Sequence, residues 1–210
     1  MPRPLQNRVL ATGQIVATPE RGLFMGNRGI LHDENQRLSK ARWRHKAWII
    51  CDLVWKDWHR KVMSPGHYTE LFFLDEAVAL AAGHRPCALC RRKAYVAYRA
   101  AAGFDGPAAK MDATLHTERA IPRKFTQKHH HLPVADLPDG AIILERDQPK
   151  LLMGHHMFAV APGGYGPSEP IPSGQANVLT PPSSLRALRN GYRPKLHPSL
   201  AASSVQNTSG

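Results

Sequence analysis

Cys87-Ala88-Leu89-Cys90 is the stretch whose residue types and spacing hold the most chemistry. Two thiolates three positions apart can reach one tetrahedral ion, and the turn between them can aim backbone amides at the sulfurs. The pair could also be a redox couple or two unrelated buried thiols, although no strand-then-helix thioredoxin context surrounds it. A metal needs further ligands. His59 lies 28 residues before Cys87, His67 lies 20 before it and Cys51 lies 36 before it. His59 follows the apolar run Trp48–Trp55 and His67 follows Pro65-Gly66, so either could fold back onto the cysteine turn. The expected set is Cys87, Cys90, His59 and His67, with Cys51 as the substitute. Cys51 shares a strand face with Ile49, Leu53 and Trp55, which favours a buried core thiol. Four protein ligands would close the shell, leave no position for a reactive water and make a bound Zn(2+) ion structural.

The residues leading into the turn carry a family likeness. Phe72-x4-Ala77-x5-Gly83-His84-Arg85-Pro86-Cys87-x-x-Cys90 resembles the metal-binding domain of the Ada DNA-repair proteins. The resemblance implies an aromatic strand residue, an Ala-rich helix and a turn that gives the second half of a four-cysteine zinc site. It covers about 20 residues, roughly a tenth of the chain. His84 stands at the family's aromatic position and is expected to pack. The family's other cysteine pair, one member of which accepts a methyl group in repair, has no counterpart here. The likeness therefore extends to zinc binding and not to repair chemistry.

Charge suggests a partner. Net charge is +12. Residues 1–100 carry 17 Lys and Arg against 8 Asp and Glu, while residues 101–210 carry 11 against 8. A basic first half suits phosphate neutralisation, and it also suits plain solubility. Arg42, Arg44, Lys46, Lys56, Arg60, Lys61, Arg85, Arg91, Arg92 and Lys93 lie around the cysteine turn and the strand before it, interleaved with Trp43, Trp48, Trp55 and Trp58. Cations that grip phosphates beside rings that stack bases are the ingredients of single-strand or minor-groove nucleic-acid binding. The leading functional expectation is a zinc-stabilised nucleic-acid-binding protein.

Two other classes stay open. Asp112, His116 and Arg119 fall on one helical face with Glu118 beside them, and a carboxylate orienting an imidazole near a cation could support hydrolysis, including of phosphodiesters. The same spacing is common on solvated helices. No P-loop, nucleophile elbow, His-Glu-x-x-His or dinucleotide fingerprint appears. A protein-interaction module around Pro162–Pro172 is the third class. The runs His129–His131 and His155-His156 do not suit a closed site: the first sits in a loop, and neighbours in a strand face opposite ways.

These groups must be positioned by a fold of the α+β class. Residues 7–17 and 21–31 read as strands and turns, 33–46 as a basic connection, and Trp48–Trp55 as a strand. Asp75–Ala82 reads as a short helix ended by Gly83, with helices over 90–102 and 110–120. Strands are expected over 140–145 and 151–160, and a helix over 183–190. The reading gives a zinc-bearing α+β domain over 1–127, a small β-rich module over 128–198 and a disordered tail over 199–210. Leu80-x-x-Gly83-His84-Arg85-Pro86 is echoed by Leu188-x-x-Gly191-Tyr192-Arg193-Pro194, which is either a duplication or a shared way of ending helices. No charged-then-apolar leader opens the sequence, no run of about 18 apolar residues suggests a membrane span, and three cysteines make no secreted framework. The expected location is cytoplasmic.

Overall fold

Alternation of large apolar residues marks Trp48–Trp55 as a strand, yet only Ile49–Asp52 pairs as one. Leu53 and Val54 are 50% and 69% exposed, because the chain leaves the sheet directly after Asp52. A computed structural model describes residues 3–57 and 60–205. Its first sheet contains β1 (Gln6–Val9), β2 (Ile15–Ala17), β3 (Phe24–Asn27), β4 (Ile49–Asp52), β5 (Leu71–Phe73) and β6 (Arg85–Pro86), in the order β2-β1-β5-β3-β4-β6. A small hairpin of β7 (Ala120–Ile121) and β8 (Thr126–Gln127) comes next along the chain. The second sheet contains β9 (His130–Pro133), β10 (Ile142–Glu145), β11 (Gln148–Met153), β12 (His156–Ala161), β13 (Gly164–Pro170) and β14 (Gln175–Val178), in the order β13-β12-β11-β10-β14-β9. The helices are α1 (Glu76–Ala81), α2 (Arg92–Ala101), α3 (Ala108–Arg119), α4 (Pro182–Arg189) and α5 (Ser199–Val205). The class is α+β, as expected.

The helix α1 occupies the centre. All six of its residues are buried. Ala79 and Leu80 join a core with Ile50, Leu71 and Phe73 of the first sheet, while Ala77, Val78 and Ala81 join Ile142, Leu151 and Phe158 of the second. Alanine on every side allows close approach from both sheets, so an element of under two turns, which would not stand alone in water, is held by packing. Both cores draw residues from either side of position 127.

Asp75 and Glu76 tie the C-terminal segment to α1. Asp75 accepts from Val78 N, capping the helix, and also from Tyr165 Oη and His197 N. Burial pushes its carboxyl up, and those bonds pull against the shift. Glu76 accepts from Arg91, Tyr192 Oη and Lys195 N. The segment from 199, expected to be disordered, is helical up to Val205: Ser199 Oγ accepts from Tyr165 N and Ser203 Oγ donates to Tyr165 O. His155 sits in the turn of a hairpin, not in one long strand over 151–160.

Candidate metal centre

The register of the first sheet builds the site. β4 and β6 run parallel with Ile50 opposite Pro86, and Cys87 N donates to Ile50 O at 2.8 Å. Cys51, still within β4, and Cys87, just past the end of β6, are the next residues along the paired strands and so stand side by side. The turn Cys87–Cys90 then returns Cys90 to the same place. The three Sγ atoms lie within 4.8 Å of one another. Two thiolates on one zinc, each about 2.3 Å from the ion, stand roughly 3.8 Å apart, so the group needs little movement to hold a thiophilic cation. Cys51 and Cys87 are buried and Cys90 is half-buried.

The backbone favours negative sulfur. Leu89 N donates to Cys87 Sγ at 3.4 Å. Amides of Cys90 and Asp52 also lower the proton affinity of Cys87 and Cys90 respectively. The three thiols shift one another's proton affinity. Hydrogen bonds donated to Cys87 and Cys90, together with burial, push the Cys51 thiol far up. Bonds received from Cys51 and Cys90 push Cys87 well down against its burial. Cys90 is lowered by Cys51, but Cys87 and burial outweigh that and leave it raised. A metal bound by the three sulfurs would displace their protons.

Cys51 therefore stands in the group, and His67 does not. The strand face of Ile49, Cys51, Leu53 and Trp55 is not the core face; Ile50, fully buried, points to the core. His67 is exposed in a turn, with its Nδ1 3.0 Å from Pro65 O. His59 and Trp58 lie outside the described residues.

Two buried ion pairs grip the turn from either side. Arg85, just before it, bonds both oxygens of Asp112 on α3 at 2.9 and 2.8 Å. Arg91, just after it, bonds both oxygens of Glu76 on α1 at 2.8 and 2.9 Å and reaches Asp52 at 3.5 Å. Upstream, the loop that feeds the turn is held by two further buried arginines. Arg28 donates to Ala82 O and to His84 Nε2, and Arg119 donates to Gly83 O and Lys46 O. Burial lowers both guanidiniums to about 9, Arg28 with help from neighbouring arginines and Arg119 against the pull of Asp112. They sit 4.1 and 4.2 Å from the Trp48 ring centroid, at the carbonyl end of α1, where cations are favoured. His84 is fully buried against Phe73 and Trp48, in the packing role expected of it.

The remaining sequence candidates separate. Asp112 is committed to Arg85, and Arg119 is fully buried on backbone carbonyls. Glu118 accepts from Ser183 N and Oγ at the start of α4. His116 packs edge-on to Trp43 and Trp48, and burial followed by Arg119 and Lys46 lowers it to about 4. No accessible acid–base pair forms among these four. Of the expected phosphate contacts, Arg85 and Arg91 are spent internally and Arg60 is paired with Glu70. Arg44, Lys46, Lys61 and Arg92 are exposed, and Arg42 is half-buried, bonded to nearby carbonyls. His130 is bound to Glu118 O and lies in β9. Among the described residues no helix is long and apolar enough to cross a membrane. No protein-family model matches the chain, and no curated protein or solved structure does either.

Proposed function

We propose that this chain is a zinc-stabilised nucleic-acid-binding protein whose metal is held by Cys51, Cys87 and Cys90, with a fourth protein ligand closing the shell and leaving the ion structural. Zinc fits the donors: thiolates are soft ligands, and sulfurs on a strand end and a tight turn suit a tetrahedral ion. The supporting observation is one of succession. The acid-free segment 40–46, with exposed Arg44 and Lys46, runs directly into the strand that carries Cys51. An ion that fixes β4 to the cysteine turn also fixes the base of that cationic segment. Phosphates bound there would displace counterions, giving affinity that falls with salt.

The test uses the full zinc-loaded chain and fluorescent DNA and RNA oligonucleotides over a series of salt concentrations. Binding is expected to weaken steeply with salt, and Arg44→Ala and Lys46→Ala are each expected to lower the slope of log affinity against log salt by about 1. Absence of binding at low salt, or binding indifferent to salt, overturns the reading.

A further inference from the structure

Nothing in the spacing of the sequence joins residues 40–46 to residues 119–128, but the fold does. The Trp43 and Phe125 ring centroids are 4.9 Å apart with planes at 66°, and Arg119 donates to Lys46 O. Each segment holds four Lys or Arg and neither holds an Asp or Glu. Their exposed members, among them Arg44, Lys46, Arg123 and Lys124, flank the two half-buried rings along the chain, with no acid in either segment.

The placement of Phe125 is unusual. It lies in the four-residue turn between β7 and β8, where Arg123 and Phe125 have φ of 67° and 53°. Side-chain-bearing residues rarely hold this left-handed backbone, and they cluster at binding sites where surrounding structure imposes it. Here it sets the Phe125 ring against Trp43. Behind Trp43 stands Trp48, 5.3 Å away and itself pinned by Arg28 and Arg119. The rings thus form a supported platform.

We infer that this face binds single-stranded nucleic acid, with unpaired bases against Trp43 and Phe125 and the backbone along Arg44, Lys46, Arg123 and Lys124. The inference rests on the nucleic-acid reading above and names the strand form and the second half of the face. Rings stack on base faces, which a duplex keeps covered, so the platform favours an unpaired strand while the cations serve any nucleic acid.

The experiment compares an oligothymidylate and an oligouridylate of roughly 12 nucleotides, within the common site size, with a duplex of the same length, using the zinc-loaded full chain. Both single strands should bind about tenfold more tightly than the duplex and quench tryptophan fluorescence. Phe125→Gly keeps a residue suited to the left-handed turn but removes the ring, so it should stay folded and lose about tenfold in single-strand affinity. Phe125→Tyr should retain it. Arg123→Ala with Lys124→Ala should lower the salt slope for strand and duplex alike. Equal affinity for strand and duplex, with Phe125→Gly silent, overturns this inference while leaving nucleic-acid binding in place. No binding to any of the three probes overturns both.

Discussion

Residues 80–86 and 188–194 share a sequence pattern and a backbone, yet they are used differently. In the first, Gly83 N donates to Leu80 O and His84 N to Ala79 O; in the second, Gly191 N donates to Leu188 O and Tyr192 N to Ala187 O. Both are Schellman endings, with the glycine left-handed at φ 84° and 92°. Beyond the cap they diverge. Arg85 is buried on Asp112 and leads to Cys87, whereas Arg193 is exposed and leads to Lys195, whose amide binds Glu76. The echo reflects a shared way to end a helix, and the residues after the cap determine the role. In the first copy they deliver a strand to a thiol cluster; in the second they deliver a strap to the helix α1.

Breaking the buried pair should separate the copies most widely. Arg85→Ala leaves Asp112 buried without its partner and should cost about 3–5 kcal/mol. Arg193→Ala, at an exposed position, should stay within about 0.5 kcal/mol. Urea unfolding of both variants checks this, and equal costs would mean that the cysteine turn is not anchored through Arg85.

The glycines give a smaller but cleaner contrast. A Cβ on Gly83 would meet Arg119 Cδ at 2.4 Å and Arg119 Cβ at 2.8 Å, while one on Gly191 meets nothing within 4 Å. Gly191→Ala should cost only the left-handed strain of about 1–2 kcal/mol. Gly83→Ala adds displacement of a buried arginine, worth about 1–3 kcal/mol more. Thermal unfolding of the pair measures the difference, and a Gly83→Ala no worse than Gly191→Ala would show that Arg119 yields freely.

The same comparison shows which parts of the protein the sequence reveals. Gly83 and Gly191 announce both helix ends, because only a residue without Cβ adopts that turn cheaply. The Cys87–Cys90 turn is equally local and equally legible. Cys51 is harder to recognise as a partner. Its place depends on β6, a two-residue strand containing Pro86 that no periodicity reveals, pairing in parallel with β4. Alternation along Trp48–Trp55 pointed to a core thiol because it could not show that the strand stops at Asp52. The short run Asp75–Ala82 does not show in the sequence what holds it. In the fold, alanines let two sheets close on the helix, and Arg28 and Arg119 secure its end. The pairing of Trp43 with Phe125 is likewise tertiary and leaves no local trace.

The central claim is that Cys51 joins Cys87 and Cys90 on one ion, and the most direct measurement is the spectrum of the cobalt-substituted protein. Thiolate-to-cobalt charge-transfer absorption grows with the number of sulfur ligands, and cobalt takes the tetrahedral positions that zinc prefers. The wild-type chain should bind one equivalent with absorption corresponding to three thiolates. Cys51→Ser, Cys87→Ser and Cys90→Ser should each lose about a third of it or fail to bind at all. A Cys51→Ser spectrum identical to that of the wild type would contradict the site, as would a wild-type chain that takes up neither cobalt nor zinc.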